Sequence, residues 1–179
     1  MKQIIILLFI IGFTIKGHGQ LYITKTGFIG FYSKTAFEDI KAENNQVYAV
    51  IDVAKKNIAF SLLLKGFLFP KELMQEHFNE NYVESDKYPK ANFVGNFSGE
   101  FNINKDGIYS VLVKGELLLH NYAKAIETTA TLEVRGGKIL GQAQFKVKPE
   151  DFNITIPALV RNKIAKEINV TVKIDCTLK

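Results

Sequence analysis

Apolar and polar residues alternate at every second position through most of this chain, and that period restricts the fold to sheet. In "ANFVGNFSGEF", residues 91–101, one face reads Ala91, Phe93, Gly95, Phe97, Gly99 and Phe101. The other reads Asn92, Val94, Asn96, Ser98 and Glu100. In "EINVTVKIDCTLK", Ile168, Val170, Val172, Ile174, Cys176 and Leu178 alternate with polar residues in the same way. Side chains of a strand point to opposite faces in turn, so each stretch predicts a strand with one buried face. Cys176 falls on the apolar side, where a thiol acts as a small hydrophobe rather than a nucleophile.

The same period predicts further strands near 22–33, 46–53, 57–68, 107–119, 124–135 and 138–148. Turn chemistry separates them in "KAENNQ", "AKKN", "NKDG" and "RGGK", and short connections suit antiparallel neighbours. About eight strands result, enough to close a barrel around one small ligand. Two stretches break the period and predict short helices. "PKELMQEHF" starts on Pro70 and spaces Leu73, Met74, His77 and Phe78 helically; "ALVRNKIAKEI" does the same with Leu159, Val160 and Ile164.

The inward faces mix wide and absent side chains. Phe93, Phe97 and Phe101 alternate with Gly95 and Gly99. Gly115 interrupts Tyr109, Val111, Val113, Leu117 and Leu119, while Phe145 and Val147 follow Gly141 and Ala143. Glycines among aromatics either leave a cavity or let strands bend and approach closely. No charged side chain falls on these faces, so a ligand's buried part should be apolar. The expected ligand-facing set is Phe60, Leu62, Leu64, Met74, Phe78, Phe93, Phe97, Phe101, Val111, Val113, Leu117, Phe145, Val147, Val172 and Ile174.

The first residues belong to a different argument. Lys2, the apolar run Ile4 to Ile15 and Gly17-His18-Gly19 have the layout of a secretory signal peptide, residues 1–19, with cleavage before Gln20. The run is shorter than the roughly 20 residues of a spanning helix, and no cysteine follows it to carry a lipoprotein anchor. The expected destination is the periplasm or the medium, with residues 20–179 as one domain. The leader holds two of the 23 basic residues and no acid, so its removal lowers the formal net charge from +5 to +3. The remaining lysines are dispersed, without the basic stripe and exposed aromatics of a nucleic-acid surface.

There is no phosphate loop, dinucleotide turn, HExxH or Gly-x-Ser-x-Gly. Only His77 and His120 lie outside the leader, too few for a His- and Cys-rich metal site. His77 on the stripe Leu73–Met74–His77–Phe78 reads as a packing residue whose ring nitrogens tie the helix to nearby backbone, and His120 reads as a turn residue.

Three stretches, in order, resemble the YceI-like family of exported lipid-binding proteins. "LMQEHFNENYVESDKYPKANFVG" carries a His-aromatic pair leading through a loop to Tyr88-Pro89 at a strand start. "VKGELLLHNYAKAIETTATL" is similar to a strand and a His-Gly-Val-Thr-Lys turn, with Asn121-Tyr122 here in place of Gly-Val. "AQFKVKPEDFNITIP" is similar to an aromatic strand running into Asp-Phe-Asn-Ile. "KTAFEDIKAENNQV" and "LLLKGFLFPKELM" resemble the form found in Bacteroidetes members.

The resemblance implies an all-β, lipocalin-like antiparallel barrel around a polyisoprenoid, isoprenoid quinone or similar amphiphile. It implies no enzyme activity and no cofactor other than such a lipid. His77, Tyr88, Pro89 and His120 would then be scaffold and entrance. The competing reading is a structural or stress-linked module whose barrel is filled by its own side chains. Transient membrane contact and a homodimer are both compatible with either reading.

Overall fold

The computed structural model describes residues 20–179; the expected leader lies outside the described residues. Eight antiparallel strands close in chain order into one barrel. They are β1 (Leu21–Lys34), β2 (Asp39–Asp52), β3 (Asn57–Leu63), β4 (Lys90–Ser98), β5 (Gly107–Leu119), β6 (Tyr122–Arg135), β7 (Lys138–Val147) and β8 (Ile168–Leu178). Closure is made by β8 on β1, where Ile29 faces Val172 and Phe31 faces Val170. A closed barrel leaves no edge strand for intermolecular pairing along most of its girth.

Two hairpins show how the turn residues set this register. Arg135 pairs with Lys138 across Gly136 and Gly137, whose φ of 57° and 74° are left-handed. Leu119 pairs with Tyr122 across His120 and Asn121, with φ of 50° and 64°. Such paired positive φ values match the twist of a two-residue hairpin, for which glycine and asparagine are suited. A histidine is held there by contacts described below.

The structure departs from the sequence reading in several elements. The strand expected near 57–68 ends at Leu63, where a 3-10 turn, Leu64–Gly66, bends the chain inward, and the strand expected over 91–101 ends at Ser98, before Gly99 with φ of 122°. "KAENNQ" was expected to be a turn, but Lys41–Gln46 lies within β2. Asn44 explains how the strand passes through it. Its buried side chain accepts from the Gln46 N–H at 2.8 Å and donates to the Leu63 carbonyl at 3.0 Å. The amide thus stands in for backbone where the β1–β2 register shifts around Gly27. The second expected helix reduces to a 3-10 turn at Ala158–Val160 followed by irregular backbone, and Ile168 opens β8. Leu159 is in solvent, so of the expected stripe only Val160 and Ile164 face the cavity, too little apolar surface to hold that stretch as a helix.

The first expected helix is real and short. Helix α1 spans Glu72–His77, and a π turn, Phe78–Tyr82, extends it. The Val83 N–H donates five residues back to the Phe78 carbonyl at 2.9 Å. This wider turn brings both Phe78 and Tyr82 to the barrel interior.

The interior is divided along the barrel. One buried cluster, including Ile51, Phe97, Val111, Leu132, Ile139 and Cys176, fills one end. A second, including Leu62, Leu64, Phe67, Val83 and Phe152, lies toward the other. Gly95 and Gly115 face each other across β4 and β5. A Cβ on Gly115 would lie 2.6 Å from both the Gly95 Cα and the Phe93 ring. Close strand approach, rather than ligand space, therefore explains these two glycines.

The strands β6 and β7 separate. They pair from Ala130–Ala143 to Arg135–Lys138, although β6 begins at Tyr122 and β7 continues to Val147. The Thr128 hydroxyl donates to the Gln144 carbonyl at 2.7 Å where the ladder ends. Beyond it the segment 149–156 lies against the inside, with Phe152 and Ile154 buried.

Candidate functional site

A cavity of about 500 Å³ occupies the second half of the barrel. Its walls come from the C-terminal ends of β1, β3, β5 and β7, the N-terminal ends of β4 and β8, and the segments 67–83 and 149–164. That volume lies within the range of roughly 300–1,000 Å³ typical of small-molecule sites.

One wall is aromatic. Phe31 lies 5.2 Å from Phe67, 5.7 Å from Phe69 and 5.5 Å from Phe78, centroid to centroid. Phe67 and Phe69 in turn lie 5.6 Å and 5.1 Å from Phe78. These tilted and edge-on arrangements are the favourable ones for aromatic pairs. The remaining wall is aliphatic, from Ile29, Leu62, Leu64, Leu117, Val147 and Ile154.

The charged groups and His77 sit at the rim, where Glu38, Lys71, His77 and Lys163 reach the cavity; Ser33 and Tyr82 are the uncharged polar side chains on its wall. Lys71 is paired with Glu38 at 3.1 Å, joining the segment before α1 to the β1–β2 turn. Such a partly exposed pair is worth about 0–1 kcal/mol and acts mainly as a tether. On the opposite side, Ser33 accepts from the Ala165 N–H at 2.8 Å, holding the 157–167 segment to the end of β1. Tyr82 also faces the cavity, and burial raises its hydroxyl above the usual range, keeping it neutral.

Of the side chains expected to face a ligand, Leu62, Leu64, Met74, Phe78, Leu117, Phe145 and Val147 line this cavity. Phe97, Val111, Val113, Val172 and Ile174 belong instead to the packed cluster, with Phe93 and Phe101 against it. Phe60 packs against both clusters without lining the cavity. These eight point inward as their period requires, at a level along the axis where the barrel is solid.

The four scaffold and entrance residues also divide. His77 is at the cavity rim, but it is exposed and its ring makes no hydrogen bond among the described residues, so the ring does not tie α1 to backbone. His120 performs a tie of that kind elsewhere. Its Nδ1 donates to the Phe152 carbonyl at 2.9 Å, and its Nε2 to Glu84 Oε2 at 2.7 Å. Tyr88 packs edge-on against its ring at 4.6 Å. The Pro89 carbonyl accepts from the Leu64 N–H at 2.9 Å, holding the loop to β3. Tyr88, Pro89 and His120 are thus scaffold outside the cavity.

Phe31, Phe67, Phe69, Phe152, Ile154 and Ile156 were missed. "GFLFP" and "FNITIP" each carry period-two apolar residues running into a proline, a readable sign of strand-like chain turning inward at a barrel end. Among the described residues no cluster of His, Cys, Asp or Glu could hold a metal. Cys176 is fully buried, and burial with neighbouring Asp175 pushes its thiol up to about 12. It stays protonated and inert at neutral pH.

The geometry suits non-covalent enclosure of one apolar chain, with any polar group of the ligand left at the rim. Solved structures with this architecture include a polyisoprenoid binding domain from Saccharophagus degradans, 14% identical with a TM-score of 0.77, over 89% of this chain and 99% of that one. BcnA of Burkholderia cenocepacia is 14% identical with a TM-score of 0.71, over 84% and 96%. The Campylobacter jejuni YceI protein is 18% identical with a TM-score of 0.60, over 76% and 83%. No curated sequence matches. The YceI-like domain family matches residues 11–176, which reach into all eight strands of the barrel, and the chain belongs to that family.

Proposed function

We propose that this protein is a non-enzymatic carrier that holds a long apolar amphiphile of the polyisoprenoid or isoprenoid-quinone class in its barrel. The observation that carries the reading is the apolar cavity, open at a rim that holds its charged groups. Each methylene moved from water into such a wall contributes roughly 0.8 kcal/mol. A long tail therefore needs no polar recognition motif to bind. The solved relative from Saccharophagus degradans, described as a polyisoprenoid binding domain, supports the ligand class. The stretches 34–47 and 62–74 support a Bacteroidetes-type member.

Native mass spectrometry of gently purified protein tests the cargo. The expected result is a reproducible adduct of lipid mass. Ala91, half-buried on the cavity wall, offers a way to remove the space. Ala91→Trp should lower occupancy by at least about tenfold, or 1.4 kcal/mol, while the melting temperature changes little. A clean ligand-free mass for the wild type would favour the filled, structural module instead.

The same reading places the protein in the periplasm or medium after cleavage before Gln20. Intact mass of the exported form should correspond to residues 20–179. A soluble product retaining Met1 would refute both the cleavage and the compartment.

A further inference from the structure

We propose that the open end of the barrel docks on an anionic phospholipid bilayer, with the 157–166 segment leading. The proposal deepens the lipid-carrier reading and rests on it for its purpose, since cargo of that class is exchanged with membranes. Its evidence is the composition of the rim.

Three segments build that rim, and each puts a large apolar side chain into solvent. Phe37 in the β1–β2 turn is 71% exposed, Leu73 at the start of α1 is 61%, and Leu159 in the 3-10 turn is 92%. Single exposed hydrophobes are ordinary on any surface. Here three fall on the segments that border one cavity mouth, Leu73 on its wall and Phe37 and Leu159 next in the chain to the wall residues Glu38 and Val160. The segments are also braced: Thr35 Oγ1 accepts from the Phe37 and Glu38 N–H groups, Lys71 reaches Glu38, and Ala165 is held on Ser33.

Charge selects the partner. Arg161, Lys163 and Lys166 lie within the 157–166 segment and Lys34 at the adjoining end of β1, all exposed. Among the described residues none of the four is in an ion pair. The acids nearest in the chain are engaged: Glu38 with Lys71, Glu167 with Lys146, and Asp39 with the Tyr32 hydroxyl. Glu72 and Glu76 on α1, and Glu150 and Asp151 beyond β7, are exposed acids that flank this sector. An anionic surface would repel those flanks and attract the 157–166 side, which fixes the tilt. Apolar insertion plus cationic attraction is the combination that binds proteins to such interfaces.

The test uses residues 20–179, which contain all eight strands and both core clusters. Protein is floated with vesicles of mixed phosphatidylglycerol and phosphatidylcholine, and with phosphatidylcholine alone. Wild type should partition at least about tenfold better onto the anionic vesicles, and salt should abolish the difference. Leu159→Asp, and separately Arg161→Glu with Lys166→Glu, should each lose about tenfold of that binding. Neither should change the melting temperature or the lipid mass carried. Lys105→Glu, in the loop after β4 at the packed end, should float like wild type. Equal flotation on both vesicle types, or variants that float like wild type, would overturn the proposal. Lipid-loaded protein that does not float refutes docking alone, whereas lipid-free protein that floats refutes the cargo and upholds docking.

Discussion

Gly115→Ala is expected to cost about 3 kcal/mol or more of folding free energy, because the new methyl group has nowhere to go. Its Cβ would stand 2.6 Å from the Gly95 Cα, and the contact with the Val94 carbonyl is tighter still. Backbone on the neighbouring strand cannot rotate away as a flexible side chain can. The Phe93 ring, also 2.6 Å from that position, closes the remaining direction. Gly107→Ala, on the same strand, is the control. There a Cβ meets only the Tyr109 ring at 3.7 Å, and the change should cost less than about 1 kcal/mol. Urea denaturation of both variants checks the contrast; equal midpoints would show that the two strands can separate at Gly95–Gly115 without cost.

His120→Gln should destabilise the fold by about 1–3 kcal/mol, the range for leaving buried polar groups unsatisfied. A carbonyl and a carboxylate both accept, so the full set of bonds uses both ring nitrogens as donors. A single amide cannot place donors at both positions. The loss should appear first in the 149–156 segment, whose Phe152 carbonyl would lose its partner, and amide exchange would locate it there. Glu84 gives the tie a pH dependence. The hydrogen bond from His120, with help from Lys87, holds its carboxyl below the usual range of about 4.5 despite some opposing desolvation. A depressed folded pKa means stability that is present above the unfolded value and lost as pH falls through the folded one. The part of the difference between wild type and Glu84→Gln that comes from the carboxylate should therefore close progressively as pH falls below about 4.5. A difference that persists unchanged into acid would show that the carboxylate contributes nothing through this bond.

Period two made most of the strands readable, and β5 was placed at its observed ends. Where the reading lost β2's first half, the cause was Asn44: asparagine usually signals a turn, and only a buried position beside Leu63 converts its amide into a backbone substitute. The cavity was less legible for a geometric reason. Alternation assigns a side chain to the inside or outside of a barrel but carries no information about height along its axis. Phe97 and Leu117 both read as inward, yet one is deep in the packed end and the other on the cavity wall. Height is set by strand stagger, which is a property of pairings between distant residues. His120 was recognised as a turn residue, while its partners Glu84 and Phe152 lie 36 and 32 positions away in the chain. No local pattern encodes that meeting.

The packed half of the barrel turns the hollow half into a gauge of length. A cavity open at both ends would accept a tail of any size and let the surplus emerge on the far side. Here the solid cluster around Phe97 and Val111 sets a floor, so a tail entering from the rim must stop. In the proposed carrier each added methylene would strengthen binding until the floor is reached, and every one after that would stay outside the cavity at the mouth. A carrier built this way would sort its cargo by how far it reaches rather than by what it displays.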